Sequence, residues 1–174
     1  MIDNAASPAT VSASFASVLR QADAFHGLTA PQLEIIATLC SELQPKAGEL
    51  IFEENGAGTE LHIIASGQVE IEISPASGSQ SPGQPAVPLV IATLQRGQTF
   101  GEIALVDQGP RTASARCASR DCRLLMVSRD RLLRLCDSYP DLGYRLMRNI
   151  AADLALKIRG TDFTIRQELL WRRR

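Results

Sequence analysis

At Leu43 the spacing of apolar residues shifts from about 3.6 to about 2. Leu50–Glu53, Leu61–Ile64, Val69–Ile73 and Leu89–Ala92 read as short strands. They are separated by Gly48, the Asn55-Gly56-Ala57-Gly58 cluster, Gly67 and Gly97. Val69-Glu70-Ile71-Glu72-Ile73 alternates strictly, which places one face in a core and the other in water. Ser114–Cys117 and Cys122–Val127 supply two further strands. Short strands with frequent glycine turns close into a small antiparallel roll or barrel.

Helical patterns flank this region. Val11–Ala24 carries Phe15, Val18 and Leu19 on one face. A second helix starts at Thr29 as its cap, has Pro31 in its first turn and buries Leu33, Ile35, Ile36 and Leu39, and Pro45 prevents its continuation. Arg129–Asp137 forms a short helix, which Tyr139-Pro140-Asp141 breaks before a longer one begins. Leu142, Leu146, Ile150, Leu154 and Ile158 then recur every four residues, with Met147 and Ala151 alongside. Gly160 is a point where this helix kinks or ends, and Ile165, Leu169, Leu170 and Trp171 continue an apolar face. Residues 1–10 are expected to be a disordered tail, and Pro75–Pro88 a long flexible hairpin loop. Residues 11–172 then form one domain: helices over 11–40, a β-roll over 43–128 and C-terminal helices over 129–172.

A chain of 174 residues, 45% apolar and 21% charged, has the size and composition of a single soluble globular domain. A net charge of −1 gives no global field to attract nucleic acid or an anionic membrane. Met1–Ala5 lacks the basic and apolar regions of a signal peptide, and no apolar run reaches membrane-span length, so a cytoplasmic location is expected. Cys40, Cys117, Cys122 and Cys136 show no metal spacing and read as buried reduced thiols. His26 and His62 lie in unrelated segments, which counts against a metal site or a histidine-based enzyme.

The densest chemistry lies in Phe100-Gly101-Glu102-Ile103-Ala104-Leu105-Val106 and Gly109-Pro110-Arg111-Thr112-Ala113-Ser114. Gly101 lets the backbone approach a ligand closely. The amides from Glu102 to Ala104 open a short helix with unpaired N–H groups. Arg111 offers a planar fork to two phosphate oxygens. Glu102 repels a phosphate, so it must accept hydrogen bonds from something else, and a sugar hydroxyl is the natural candidate. The plain alternative is a surface ion pair between Glu102 and Arg111.

Phe-Gly-Glu-Ile-Ala-Leu followed by Pro-Arg-Thr-Ala-Ser resembles the phosphate-binding cassette of the cyclic nucleotide-binding domain family, in the type of the catabolite activator protein and the regulatory subunit of cAMP-dependent kinase. The resemblance runs from about Leu19 to about Ile158. It implies an α+β fold, an antiparallel β-roll of the double-stranded β-helix or jelly-roll type with N-terminal helices and a long C-terminal helix. It further implies that Glu102 holds the ribose 2′-hydroxyl and that Arg111 binds the cyclic phosphate, helped by backbone amides at Ala104 and Thr112. Gly101 and Ile103 complete the expected ligand site.

The resemblance implies a cAMP or cGMP sensor that is not an enzyme, needs no cofactor beyond its ligand and signals by moving its C-terminal helices. In that movement Ile103, Leu105 and Val106 repack against the helix at Arg129–Asp137. Expected partners are a cyclic nucleotide, a second copy through the Leu146, Ile150, Leu154 stripe, and an unknown effector protein. Neither a membrane nor specific duplex DNA is expected, since the winged-helix reader of catabolite activator relatives has no counterpart here. The alternative is a ligand-free dimerisation or interaction module. The chain also departs from those relatives. Their two adenine-reading hydroxyl residues fall here at Lys157 and Ile158, so weak discrimination between bases is expected, and by the resemblance Thr112 permits cGMP without excluding cAMP.

Overall fold

The computed structural model describes residues 8–74 and 87–171. Helix α1 (Pro8–Arg20) leads through a 3-10 turn at Asp23–Phe25 into α2 (Ala30–Ala37). A capping box opens α2, with the Thr29 amide donating to Gln32 Oε1 at 2.9 Å. Eight strands follow: β1 (Cys40–Leu43), β2 (Leu50–Phe52), β3 (Glu60–Ser66), β4 (Gln68–Ile73), β5 (Leu89–Gln95), β6 (Thr99–Phe100), β7 (Ser114–Cys117) and β8 (Arg123–Ser128). Helix α3 (Glu102–Asp107) lies between β6 and β7, and α4 (Arg129–Ser138) and α5 (Pro140–Trp171) close the chain.

The strands form two antiparallel four-stranded sheets, ordered β1-β8-β3-β6 and β2-β7-β4-β5. This is the expected β-roll with its flanking helices. One core fills the space between the sheets, with Ile64, Val69, Phe100, Ala115 and Leu124. A larger one lies between the first sheet and the helices, where Leu61, Ile63, Leu125 and Val127 meet Phe25, Ile36, Leu132, Leu142, Leu146 and Ile150. Strand β3 therefore has a core on both faces, which explains why Leu61–Ile64 carries little alternation.

Several boundaries differ from the sequence expectation. Helix α1 begins at Pro8, inside the stretch assigned to the tail, because proline suits a first helical turn. Cys40 opens β1 instead of closing α2, so strand structure starts before Pro45. Glu72 is buried rather than facing water, because Arg116 Nε donates to both its carboxylate oxygens at 3.1 and 3.2 Å. Helix α5 runs unbroken through Gly160. All four cysteines are free thiols, Cys117 and Cys122 buried and Cys40 and Cys136 partly exposed. The body of the expected loop at Pro75–Pro88, most of the tail, Arg172–Arg174 and the side chains of Ile165, Leu169 and Trp171 lie outside the described residues.

Candidate functional site

Two left-handed backbone positions frame the cassette. Gly101 at φ 82° turns the chain from β6 into α3, and Gln108 at φ 58° turns it out again. A Cβ at Gly101 would lie 2.2 Å from Arg111 Nη1, so the position needs glycine for space as well as for φ. Gly109 and Pro110 return the chain beside the Asn55–Gly58 loop, where Ala57 bridges Pro110. There the Arg111 amide donates to the Gly56 carbonyl and the Asn55 amide donates to the Arg111 carbonyl, each at 2.8 Å. Gly58 packs so closely under α3 that a Cβ there would meet Ala104 Cβ at 2.1 Å.

Arg111 is only 3% exposed. Its guanidinium lies over the Phe52 ring, 4.1 Å from the centroid, and donates to the carbonyls of Gly101 at 3.0 Å and Glu60 at 2.8 Å. Its Nε is buried without a hydrogen-bond partner among the described residues, and the Glu60 carboxylate stays 3.8 Å away. Burial pulls the guanidinium below its ordinary pKa, against the opposing fields of Glu60 and Glu102. Beneath it His62 stacks on Phe100 with ring centroids 4.9 Å apart. Burial and the nearby Arg111 push the imidazole down to about 3, so it is neutral at pH 7.

Glu102 is buried at the first position of α3, and its partner is not Arg111. Lys157 Nζ on α5 donates to Glu102 Oε1 at 2.8 Å and to the Thr99 carbonyl at 3.0 Å, and pairs with Asp153 Oδ2 at 2.8 Å. Burial alone would lower the lysine pKa, but Glu102 and Asp153 outweigh it and hold the ammonium above its usual value. The surface ion pair between Glu102 and Arg111 is thus replaced by two buried groups with separate partners.

The fold brings Gly101, Glu102, Ala104 and Arg111 together. Thr112 is exposed beside them, and Ile103 turns outward at 37% exposure. Of the apolar residues on α3, Leu105 reaches the helix core that also holds Leu132 of α4, while Val106 is 56% exposed. Sequence reasoning missed Phe52, His62 and Gly58, which support the cassette from strands and a loop far away in the chain. It also treated Lys157 only as the loss of a hydroxyl. The only available signal was its helical phase with Asp153, which puts both residues on the face of Leu154 and Ile150.

The sequence profile of the cyclic nucleotide-binding domain matches residues 42–139, more than half of the chain, and the chain belongs to that family. The cyclic AMP receptor protein of Thermus thermophilus is 30% identical over 141 residues, covering 81% of this chain and 59% of that protein. The crystal structure of Thermus thermophilus catabolite activator protein superposes with a TM-score of 0.65 at 29% identity, over 83% of this chain and 62% of that one. A cyclic nucleotide-binding domain from Methylobacillus flagellatus KT shares the fold at a TM-score of 0.72 and 19% identity, over 90% of this chain and 83% of that one. The chain thus spans less than two thirds of that curated receptor. Among the described residues no helix is long and apolar enough to cross a membrane.

Proposed function

We propose that this chain is a regulatory domain that binds cAMP or cGMP in the Gly101–Thr112 cassette, leaves the nucleotide chemically unchanged and signals through α5. The observation that carries the reading is Arg111, a buried cation that meets the Glu60 carboxylate only at 3.8 Å and whose Nε has no hydrogen-bond partner among the described residues. A buried charge so loosely paired is costly, and a cyclic phosphate against Gly101 would complete its compensation. Glu102, one residue on, supplies the acceptor for a ribose hydroxyl. The backbone amides of Ala104 and Thr112 would complete the phosphate contacts, with Ile103 at the rim. The output would pass to a partner protein, with a second copy of the chain docking along the distal part of α5.

Calorimetric titration with cAMP and cGMP tests this. Arg111→Leu should lose about 2–5 kcal/mol of binding free energy, or ~30-fold and more, because the phosphate charge is left unpaired. Equal affinities, or no binding by either protein, would sink the assignment. Both nucleotides should bind within about tenfold of each other, since the α5 residues at Lys157 and Ile158 provide no hydroxyl pair. Thr112→Ala should cost cGMP ~0.5–1.5 kcal/mol, one hydrogen bond to a syn guanine, and leave cAMP nearly unchanged. The engagement of Glu102 by Lys157 favours a second reading, an interaction module whose cassette takes no nucleotide. The same titration separates the two.

A further inference from the structure

We propose that Lys157 is a tethered competitor for the sugar subsite: its ammonium holds Oε1 of the Glu102 carboxylate, the group a ribose 2′-hydroxyl would need, and so sets both affinity and sugar selectivity. This rests on the cyclic nucleotide reading above. The contact is built rather than incidental. Glu102 is buried, and Lys157 reaches it from 55 residues away in the chain while also donating to the Thr99 carbonyl. Asp153, one turn earlier on α5, holds the same ammonium at 2.8 Å.

That third partner makes exchange feasible. When Lys157 leaves Glu102 it keeps a counter-charge on its own helix, so α5 departs as a nearly neutral unit rather than as a bare cation. The position along α5 matters as well. Asp153, Leu154 and Lys157 are the half-buried residues of this stretch, and every described side chain after Lys157 is exposed. Lys157 is therefore an attachment of distal α5 to the roll, and a hydroxyl arriving at Glu102 loosens the helix at that point. Occupancy of the sugar subsite and freedom of the distal helix become one equilibrium, biased by the difference in ligand affinity between attached and released forms.

The competition leaves a signature that a purely structural lysine would not. A nucleotide lacking the 2′-hydroxyl need not displace Lys157, so in the wild-type chain Glu102 stays paired and the missing hydroxyl is partly masked. Without the ammonium, the ribose form gains Glu102 unopposed, while the deoxyribose form leaves a buried carboxylate unpaired. The experiment is an equilibrium titration of wild type and Lys157→Met with cAMP and 2′-deoxy-cAMP, with Lys157→Gln as a second variant. Amide exchange of residues 158–171 is followed without added nucleotide. Lys157→Met should bind cAMP about tenfold tighter, widen the preference for cAMP over the deoxy form by about tenfold, and exchange faster beyond Lys157. If both proteins bind cAMP but the variant shows neither tighter binding nor a wider preference, the competition is overturned and the cyclic nucleotide reading survives. If neither protein binds either nucleotide, that reading fails and the competition falls with it.

Discussion

The two halves of α5 are one helix with opposite surroundings. From Pro140 to Ile150 its apolar stripe lies inside the molecule, with Leu142 and Leu146 at 0% exposure and Ile150 at 1%. Beyond Leu154 the same kind of residue faces outward, with Leu156 at 69%, Ile158 at 62% and Leu170 at 66% exposure. The first half belongs to the fold. The second meets it through Leu154, packed against the helix core, and through Lys157, bonded to Glu102. The contrast also corrects the sequence reading of the dimer seam. Leu146 and Ile150 are enclosed by their own protomer, so the exposed aliphatic side chains left for a seam on α5, among the described residues, are those after Leu154.

The sharpest way to break this comparison is to truncate one side chain in each half. Leu146→Ala should destabilise by about 2–5 kcal/mol, the cost of a buried cavity, while Ile158→Ala should stay within about 0.5 kcal/mol of wild type. Urea unfolding of both variants checks this, and equal losses would mean that the distal half is packed after all. The glycines make the same point on a smaller scale. A Cβ at Gly143 would meet Cys136 Cβ at 2.9 Å and the Cys136 carbonyl at 3.0 Å, whereas at Gly160 it would meet nothing within 4 Å among the described residues. Gly143→Ala should therefore cost about 1–3 kcal/mol by forcing α4 and α5 apart. Gly160→Ala should stabilise the helix by about 0.5–1 kcal/mol, read as a rise in melting temperature. The smallest stability effect, within about 0.5 kcal/mol, is expected for the double change Leu156→Ser and Ile158→Ser. Its readout is assembly: light scattering at micromolar concentration should show a dimer for wild type and a monomer for the variant. A wild-type monomer would remove the seam altogether.

Much of the site was legible because the cassette is local. Gly101, Glu102 and Arg111 are near one another in the chain, and their chemistry can be argued from backbone freedom, charge and hydrogen-bonding capacity. The strands with clear glycine boundaries were legible for the same reason. What escaped depends on partners distant in sequence. Strand β6 is two residues long and is defined by its pairing with His62 and Ile63. Glu72 reads as a water-facing residue until Arg116 covers it. Lys157 reads as an unremarkable helical lysine until the roll brings Glu102 to it. Helix α5 outlasts Gly160 because one glycine in a helix costs only about 1 kcal/mol.

The hydrogen bond from Arg111 to the Gly101 carbonyl closes a ring of chain between residues ten apart, anchored at one end by main-chain bonds to Asn55 and Gly56. Ring closure becomes costlier only slowly with length, by about 0.6 kcal/mol for each doubling. One extra residue between Asp107 and Gly109 would therefore barely disturb folding, yet it would shift the register between the glycine turn and the guanidinium. The length of this ring is set by the reach of a single side chain. A chain lengthened there would remain a well-folded protein in which the anion subsite proposed for Gly101 and Arg111 was out of alignment.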